Sequence, residues 1–230
     1  MLLKCDKISF KYPNAETHVF DGLSHQIDVP GFHALFGPSG VGKTSFAKIL
    51  SGDIASFSGD LQTRDIDTIL YSYNLERLPG WASVGNHLAK ITQPAHSDKS
   101  RILVDCFGIE KCLDRRFSEL SLGQQNRVNL LRYLLQDFNV LIMDESLANV
   151  DEVTREKIIL QIKDMFPDII FLYISHNIVE VSKFCDQILV FRSAPKKPQT
   201  VLVKGQDLKK GHTLTRKDQE LTMLEIMNAS

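Results

Sequence analysis

The chain has 230 residues, of which 43% are hydrophobic and 24% charged, and its formal net charge is −1. This composition is typical of a water-soluble globular protein with one full core. A charge so close to zero gives no electrostatic reason to expect nucleic acid as a partner, and no run of about 18 apolar residues predicts a membrane span. The four cysteines show neither metal-site spacing nor a disulfide framework, which favours a reducing, cytoplasmic compartment.

The first predicted elements are strands. Residues 2–12 alternate between apolar and polar side chains, and residues 23–29 suggest an antiparallel partner. Residues 32–36 form a short apolar run that is typical of a buried strand.

A phosphate-binding loop follows this third strand. Residues 37–44 match the pattern G-x-x-x-x-G-K-[ST] at every fixed position. The glycines let successive N–H groups point at phosphate oxygens, and the helix predicted from residue 45 to 50 adds the positive end of its dipole. Lys43 is predicted to contact the β- and γ-phosphates and Thr44 to bind Mg²⁺ of a nucleoside triphosphate. The candidate nucleotide-binding residues of this loop are Gly37, Pro38, Ser39, Gly40, Val41, Gly42, Lys43, Thr44 and Ser45.

The middle of the chain is predicted to be helical. After a short apolar strand at 69–73, the strand signal fades and helical periodicity continues over about 75–136. The residues predicted to share one face of this segment are Ile102, Leu103, Cys106 and Phe107. The segment is therefore expected to be a helical insertion.

Strand signals return in the last third of the chain, at residues 140–143, 169–174, 188–191 and 201–203. A helix is predicted between the first two, over 153–166, with Pro167 as its stop. This alternation predicts an α/β fold with a parallel sheet and helices on both faces. The polar tail after Gly205 is expected either to fray or to dock as a small helix through its apolar residues Leu221, Leu224 and Met227.

Polar side chains follow two of these strands. Asp144 and Glu145 end the strand at 140–143, where Asp144 is predicted to hold the Mg²⁺ environment and Glu145 to polarise an attacking water. Ser175 and His176 end the next strand, and ligands of open α/β sheets bind at that edge. His176 is therefore predicted to contact the γ-phosphate or to orient water. Solvated acids and a structural histidine are the alternatives.

The segment 120–127 reads Leu-Ser-Leu-Gly-Gln-Gln-Asn-Arg. A serine followed by glycine and glutamine at a helix start can present a hydroxyl and backbone N–H groups to an anion. Considered alone, the segment favours an ordinary helix cap with Ser121 as the N-cap residue.

The order and spacing of these motifs resemble those of ABC transporter ATP-binding subunits, from about Tyr12 to Phe191. The resemblance implies a single ABC ATPase domain over 1–230. That domain would have a RecA-like P-loop NTPase core, an antiparallel β-subdomain, an inserted α-helical subdomain at about 75–136 and a polar tail at 205–230.

The resemblance also implies roles for individual residues. In that family two nucleotide-binding domains sandwich two ATP molecules head to tail, and the signature of one domain caps the ATP held by the other. The residues implied in this capping are Ser121, Gly123 and Gln124. Tyr12 is implied to stack on adenine, Asp151 to lie in the D-loop, and Asn74 to stand where the family has its Q-loop glutamine, one methylene shorter.

The implied function is ATP hydrolysis with Mg²⁺ that powers solute transport through a separate integral-membrane permease. The chain would act as a homodimer or paired ATPase on the cytoplasmic face of the cell membrane. Residues 78–84, with Trp81, resemble a segment of importers for nitrate, taurine and aliphatic sulfonates. Import is therefore expected, with a solute-binding protein as a further partner and no nucleic acid.

Three alternatives remain at this point. A non-transport ABC ATPase acting on DNA or ribosomes is disfavoured by the single cassette, by the lack of a coiled coil and by the absence of a basic excess. An ATPase of an export or lipid system has the same motifs. A GTPase or small-molecule kinase would share only the phosphate loop, and the chain has no Asn-Lys-x-Asp guanine-reading motif.

Overall fold

The computed structural model describes residues 1–230 except 75, 77, 79, 94 and 95. The strands are β1 (Leu2–Phe10), β2 (Phe20–Ile27), β3 (Gly31–Phe36), β4 (Ser58–Arg64), β5 (Ile69–Tyr73), β6 (Val140–Asp144), β7 (Ile170–Ile174), β8 (Gln187–Phe191) and β9 (Thr200–Lys204). The helices are α1 (Lys43–Leu50), α2 (Val84–Ile91), α3 (Ser97–Cys106), α4 (Leu122–Leu134), α5 (Glu152–Met165), α6 (Ile178–Phe184) and α7 (Arg216–Ala229). Within the described ranges, no helix combines the length and the apolar character needed to cross a membrane.

The central sheet has six strands in the order β5-β6-β7-β3-β8-β9. Its first five strands are parallel, as the alternation of strands and helices predicts, and β9 pairs antiparallel with β8. The exception has a simple cause, because the short segment 192–199 joins β8 to β9, and a parallel pair needs a longer crossover.

A second, three-stranded antiparallel sheet has the order β2-β1-β4. It corresponds to the predicted antiparallel β-subdomain, but its third strand was not predicted from the sequence. In β4 every residue except the half-buried Leu61 is exposed. The strand therefore lacks the apolar alternation from which a strand is recognised.

The two faces of the central sheet are covered differently. One face packs against α4, α5, α6 and α7. The other packs against α1 and the three-stranded sheet. The prediction of helices on both faces therefore holds, with the correction that a β-sheet covers much of the second face. Since all five residues of β7 are buried, the carboxyl edge of the sheet is rigidly supported.

The helical insertion consists of α2, α3 and α4, with 3₁₀ turns at Glu110–Cys112 and Phe117–Glu119. The first helix begins later than the predicted residue 75, because the Ser83 hydroxyl caps α2 by accepting the Asn86 N–H at 3.3 Å. Leu75 and Pro79 lie outside the described residues. On α3, Ile102 is 46% exposed, whereas Leu103, Cys106 and Phe107 are buried, so the predicted shared face was wrong for Ile102.

The polar tail docks as helix α7 rather than fraying. The residues that it buries are Thr222, Ile226 and Ala229. The three apolar residues expected to dock it, Leu221, Leu224 and Met227, lie on its exposed face instead. The helix thus packs through a different face from the one that the sequence suggested.

Candidate functional site

The phosphate loop lies at the carboxyl edge of the central sheet, between β3 and α1. Its glycines are required by close packing. Gly37 has φ 143°, and a Cβ there would lie 2.4 Å from the Phe191 carbonyl oxygen. Gly42 has φ 102°, and a Cβ there would lie 2.5 Å from Val19 Cγ1. Both backbone conformations belong to the region that only glycine adopts readily.

The lysine of the loop is buried within it. Lys43 is 5% exposed, and its Nζ donates hydrogen bonds to the carbonyl oxygens of Gly37 (2.8 Å) and Pro38 (2.7 Å). Burial lowers the pKa of Lys43, while the carboxylates of Asp144 and Glu145 act in the opposite direction. An ammonium held in this way is well placed to bind an anion that enters the loop.

Two hydroxyls converge on the first acid. Asp144 Oδ2 accepts hydrogen bonds from Thr44 Oγ1 (2.8 Å) and from the Tyr71 hydroxyl (2.6 Å). Burial and then the hydrogen bond to Asp144 raise the pKa of Tyr71, so its hydroxyl remains a donor. Within the predicted strand at 69–73, no motif assigned Tyr71 a role. The sequence pattern that could have indicated its position is the alternation of side chains along β5. This alternation places Tyr71 on the same side of the strand as Tyr73.

This arrangement fits Mg²⁺ as the metal of a nucleotide complex. Thr44 and Asp144 provide a hydroxyl and a carboxylate, the hard oxygen ligands that Mg²⁺ prefers. In the described part of the chain, no three His, Cys, Asp or Glu side chains form a metal cluster. A metal held by one or two protein oxygens together with substrate phosphates suits such a site.

The second acid and the histidine form a pair. Glu145 Oε1 lies 2.8 Å from His176 Nε2, and both side chains are partly exposed. Glu145 has φ 51°, a left-handed conformation that is uncommon for a residue other than glycine. Its N–H donates to the Ile174 carbonyl at 3.1 Å, which anchors the turn to the neighbouring strand. Strain of this kind is concentrated at functional sites.

These side chains share one cavity of about 360 Å³. The residues that line it are Tyr12, Val19, Ser39, Gly40, Gly42, Lys43, Thr44, Ser45, Asp144, Glu145, Ile174 and His176. The hydroxyls of Tyr12 and Ser45 are hydrogen-bonded at 2.8 Å. Of the other predicted loop residues, Gly37 and Pro38 contribute the carbonyls that hold Lys43, and Val41 packs against the core. The fold thus brings together the predicted phosphate, metal, water and adenine contacts.

Asn74 lies in an adjoining cavity of about 730 Å³, which it shares with Asp144, Glu145, Tyr71 and Tyr73. Its N–H donates to the Asp144 carbonyl at 3.1 Å. Its side-chain oxygen Oδ1 is buried and has no hydrogen-bond partner among the described residues. Asn74 therefore lies beside the two acids, and its amide oxygen is unpaired within the described part of the chain.

The signature segment lies elsewhere. Ser121 caps α4, since its Oγ accepts the Gln124 N–H (3.3 Å) while Gln124 Oε1 accepts the Ser121 N–H (2.9 Å). Of the described residues lining the two cavities, none belongs to the segment 121–124. Gly123 packs on the loop before α5, where a Cβ would lie 2.3 Å from the Asn149 carbonyl oxygen. Within this chain the segment is thus a helix cap packed against a loop.

Asp151 begins helix α5. Its Oδ1 accepts the Thr154 N–H at 2.9 Å, and this hydrogen bond lowers the pKa of Asp151. Like Ser121, Asp151 acts within the chain as a helix cap, and it is absent from the described lining of both cavities.

An ion pair between Arg155 and Glu180 links the start of α5 to residues that flank the histidine. The Arg155 guanidinium contacts Glu180 and donates to the Val150 carbonyl. Glu180 is 5% exposed and accepts hydrogen bonds from groups on both sides of His176. These donors are Tyr173 (2.7 Å), Ser175 (3.1 Å) and Asn177 (2.9 Å). Sequence reasoning missed the pair, because no local spacing distinguishes these two residues from solvated charges on helices α5 and α6.

Comparison with known proteins agrees with this geometry. The family model described as ABC transporter matches residues 20–148, more than half of the chain. A molybdenum import ATP-binding protein of Brucella suis is 32% identical over 180 residues, covering 70% of this chain and 50% of that protein. A taurine import ATP-binding protein of Pseudomonas putida is 28% identical over 211 residues, covering 84% of this chain and 79% of that protein. This chain therefore spans about half the length of the molybdenum relative and most of the taurine relative.

A solved structure supports the fold. A bacterial Atm1-family ABC exporter with ATP bound superposes with a TM-score of 0.73 at 21% identity, over 83% of this chain and 37% of that one. The predicted α/β fold with a P-loop core is confirmed by this likeness and by the matching family. With its phosphate loop, adjacent acids and histidine gathered at one sheet edge, the chain belongs to the ABC transporter family.

Proposed function

We propose that the chain is the ATP-binding and hydrolysing subunit of an ABC transporter that moves a solute through a separate membrane permease. The observation that carries this proposal is the single cavity lined by the phosphate loop, Asp144, Glu145 and His176. Such a cavity combines anion binding, a metal position and a water-activating pair, which are the parts that phosphoryl transfer to water requires.

Each residue has a role in this scheme. Lys43 and the N–H groups of residues 39–44 would hold the phosphates, and the Tyr12 ring, which lines the cavity, would stack on adenine. Thr44 and Asp144 would hold Mg²⁺, which neutralises phosphate charge. Glu145 would take a proton from the attacking water, and His176 would orient that water and contact the γ-phosphate.

A second copy of the chain completes the site. Ser121, Gly123 and Gln124 lie outside the cavity of their own chain, at a helix start that can bind an anion. In a head-to-tail homodimer this segment would cap the ATP held by the partner. The D-loop residue Asp151 would lie at the same interface.

The relatives support a proposal for the transport direction and the partners. Two of them are named import ATP-binding proteins, for molybdenum and for taurine. We therefore propose import, with an integral-membrane permease and a solute-binding protein as partners. The chain would lie peripherally on the cytoplasmic face of the cell membrane.

The test measures ATP binding and phosphate release with and without Mg²⁺, for the wild type and for Lys43→Ala. Lys90→Ala, at an exposed lysine of α2, is the matched control. We expect Mg²⁺-dependent turnover that Lys43→Ala abolishes and Lys90→Ala preserves. A wild type that binds no ATP, or a Lys43→Ala variant with normal turnover, contradicts the proposal.

The transport role needs its own measurement. Affinity purification from membranes solubilised in detergent should recover an integral-membrane protein that alters the ATPase rate. Recovery of DNA or ribosomes in place of a membrane protein would favour the non-transport alternative.

A further inference from the structure

Tyr71 makes the shortest recorded hydrogen bond to Asp144. Its hydroxyl donates to Asp144 Oδ2 at 2.6 Å, and the Thr44 hydroxyl donates to the same oxygen at 2.8 Å. The two donors come from different elements, since Tyr71 lies on β5 and Thr44 on α1. The position of Asp144 Oδ2 is therefore fixed by donors from two elements.

The position of the Tyr71 ring is set by the sheet. β5 and β6 are parallel neighbours, with Tyr71 opposite Ile142 and Tyr73 opposite Asp144. The rings of Tyr71 and Tyr73 are stacked, with centroids 6.0 Å apart and planes inclined by 26°. This packing holds the ring independently of the hydroxyl, so removal of the hydroxyl should leave the ring in place.

Asn74, which directly follows β5, does not make this contact. Asn74 Oδ1 is buried without a hydrogen-bond partner among the described residues. The Asn74 contact to Asp144 is through its backbone N–H and the Asp144 carbonyl. From β5 and the residue that follows it, Tyr71 is therefore the side chain that reaches the carboxylate.

We propose that Tyr71 is a positioning residue for the metal site, holding Asp144 in the orientation that nucleotide-bound Mg²⁺ requires. This inference rests on the proposed function, because it assumes that Thr44 and Asp144 form the metal position. A Thr44 hydroxyl that binds the metal does so through an oxygen lone pair, so its proton can still be donated to Asp144 Oδ2. Tyr71 is the second donor to this oxygen, and it comes from a residue outside the metal site itself.

The expected effect is on metal affinity. Outer hydrogen bonds that orient metal ligands typically change metal affinity by roughly 10–100-fold when they are removed. Tyr71→Phe should therefore weaken Mn²⁺ binding, with Mn²⁺ as a spectroscopic substitute for Mg²⁺, by about tenfold in the presence of nucleotide. Binding of ATP in EDTA should be unchanged, because the phosphate loop is untouched.

Tyr73→Phe is the matched control. Tyr73 follows two residues later on the same strand and is 46% exposed. In the described part of the chain, Tyr73 has a stacking contact with Tyr71 but no recorded hydroxyl hydrogen bond. Tyr73→Phe removes the same atom from the same surroundings without removing a bond to Asp144.

The experiment uses the full chain with a saturating, non-hydrolysable ATP analogue and titrates Mn²⁺ by electron paramagnetic resonance. ATP affinity in EDTA and the melting temperature are measured on the same variants. A loss of Mn²⁺ affinity in Tyr71→Phe alone, with the other two quantities unchanged, supports the proposal. Three outcomes overturn the proposal. The first is unchanged Mn²⁺ affinity in Tyr71→Phe, and the second is an equal loss of Mn²⁺ affinity in Tyr73→Phe. The third is a loss of metal-free ATP affinity and a lower melting temperature in Tyr71→Phe, in parallel with its loss of Mn²⁺ affinity. A wild type that binds neither ATP nor Mn²⁺ would instead contradict the proposed function.

Discussion

The two helix starts that carry the phosphate loop and the signature segment differ in how their backbone N–H groups are used. Helix α1 begins after Gly42, which has φ 102° and provides no side-chain cap. Helix α4 begins after Ser121, whose side chain forms a capping box with Gln124. The first N–H groups of a helix have no partner within the helix. At α1 these N–H groups remain available to a ligand. At α4 the side chain of the N-cap residue accepts a hydrogen bond from one of them.

The surroundings of the two helix starts also favour ligand binding within the chain at α1 and not at α4. Lys43, Asp144, Glu145 and His176 lie around the start of α1, in a cavity of about 360 Å³. At the start of α4, Leu122 is 52% exposed and Gly123 packs against Asn149. The first region is a binding site within one chain. The second is a helix cap within its own chain, and under the proposed function it would present its edge to a second copy of the chain.

The largest expected change in the rate of ATP hydrolysis comes from a substitution of Glu145, in the cavity at the start of α1. Glu145→Gln keeps the shape of the side chain but removes the base, so ATP hydrolysis should fall by roughly 10²–10⁴-fold. ATP binding should persist, and the protein should accumulate as an ATP-bound dimer. Phosphate release and size-exclusion chromatography with ATP and Mg²⁺ measure both quantities. A variant that hydrolyses ATP at the wild-type rate would remove Glu145 from this role.

The next largest expected effect is a loss of turnover without a loss of ATP affinity, which distinguishes the signature segment from the phosphate loop. In the proposed homodimer, Ser121→Arg would place a bulky cation where the partner's γ-phosphate approaches. Turnover should then fall by about 10²-fold, as for the loss of an electrostatic contact in a transition state. ATP affinity of the monomer should be unchanged, because residues 37–44 are untouched. Equilibrium ATP binding and phosphate release test this, with Ser97→Arg at the exposed start of α3 as the control. Loss of ATP affinity in monomeric Ser121→Arg would place Ser121 in the pocket of its own chain.

A smaller effect tests how the signature segment is positioned. In Gly123→Ala the new Cβ would lie 2.3 Å from the Asn149 carbonyl oxygen, so one backbone segment must shift. Overpacking of this kind costs about 1–3 kcal/mol of unfolding free energy. Urea denaturation measures this cost, and Gly80→Ala, where a Cβ would meet nothing within 4 Å, is the control. Equal stability of the two variants would mean that Gly123 does not fix the contact with the 149 loop.

The smallest effect is expected at Asn74. Its buried Oδ1 has no partner among the described residues, and the side chain is one methylene, or about 1.5 Å, shorter than glutamine. Such a difference can turn a direct contact into a water-mediated one. Asn74→Gln should therefore raise turnover modestly or shift its Mg²⁺ dependence. If both quantities match the wild type, Asn74 has no part in the metal site.

Local patterns in the sequence were sufficient for the elements around the cavity. The apolar run before Gly37 is β3, the run before Asp144 is β6 and the run before Ser175 is β7. Each of these strands is buried and ends in polar residues, so its signal does not depend on distant contacts. Where apolar periodicity is weak or shared by two faces, prediction was poorer. For that reason β4 was missed and the exposed face of α7 was misassigned.

The sequence by itself determined the phosphate loop, the adjacent acids and the histidine, because each is a short motif that directly follows or precedes a buried element. Only the tertiary structure decided which of them meet. The Tyr71 hydroxyl reaches Asp144 across 73 chain positions because β5 and β6 are neighbours in the sheet. The Arg155–Glu180 pair likewise forms because α5 and α6 pack on the same face of the sheet. Contacts of this kind depend on strand order and helix packing, which local periodicity does not encode.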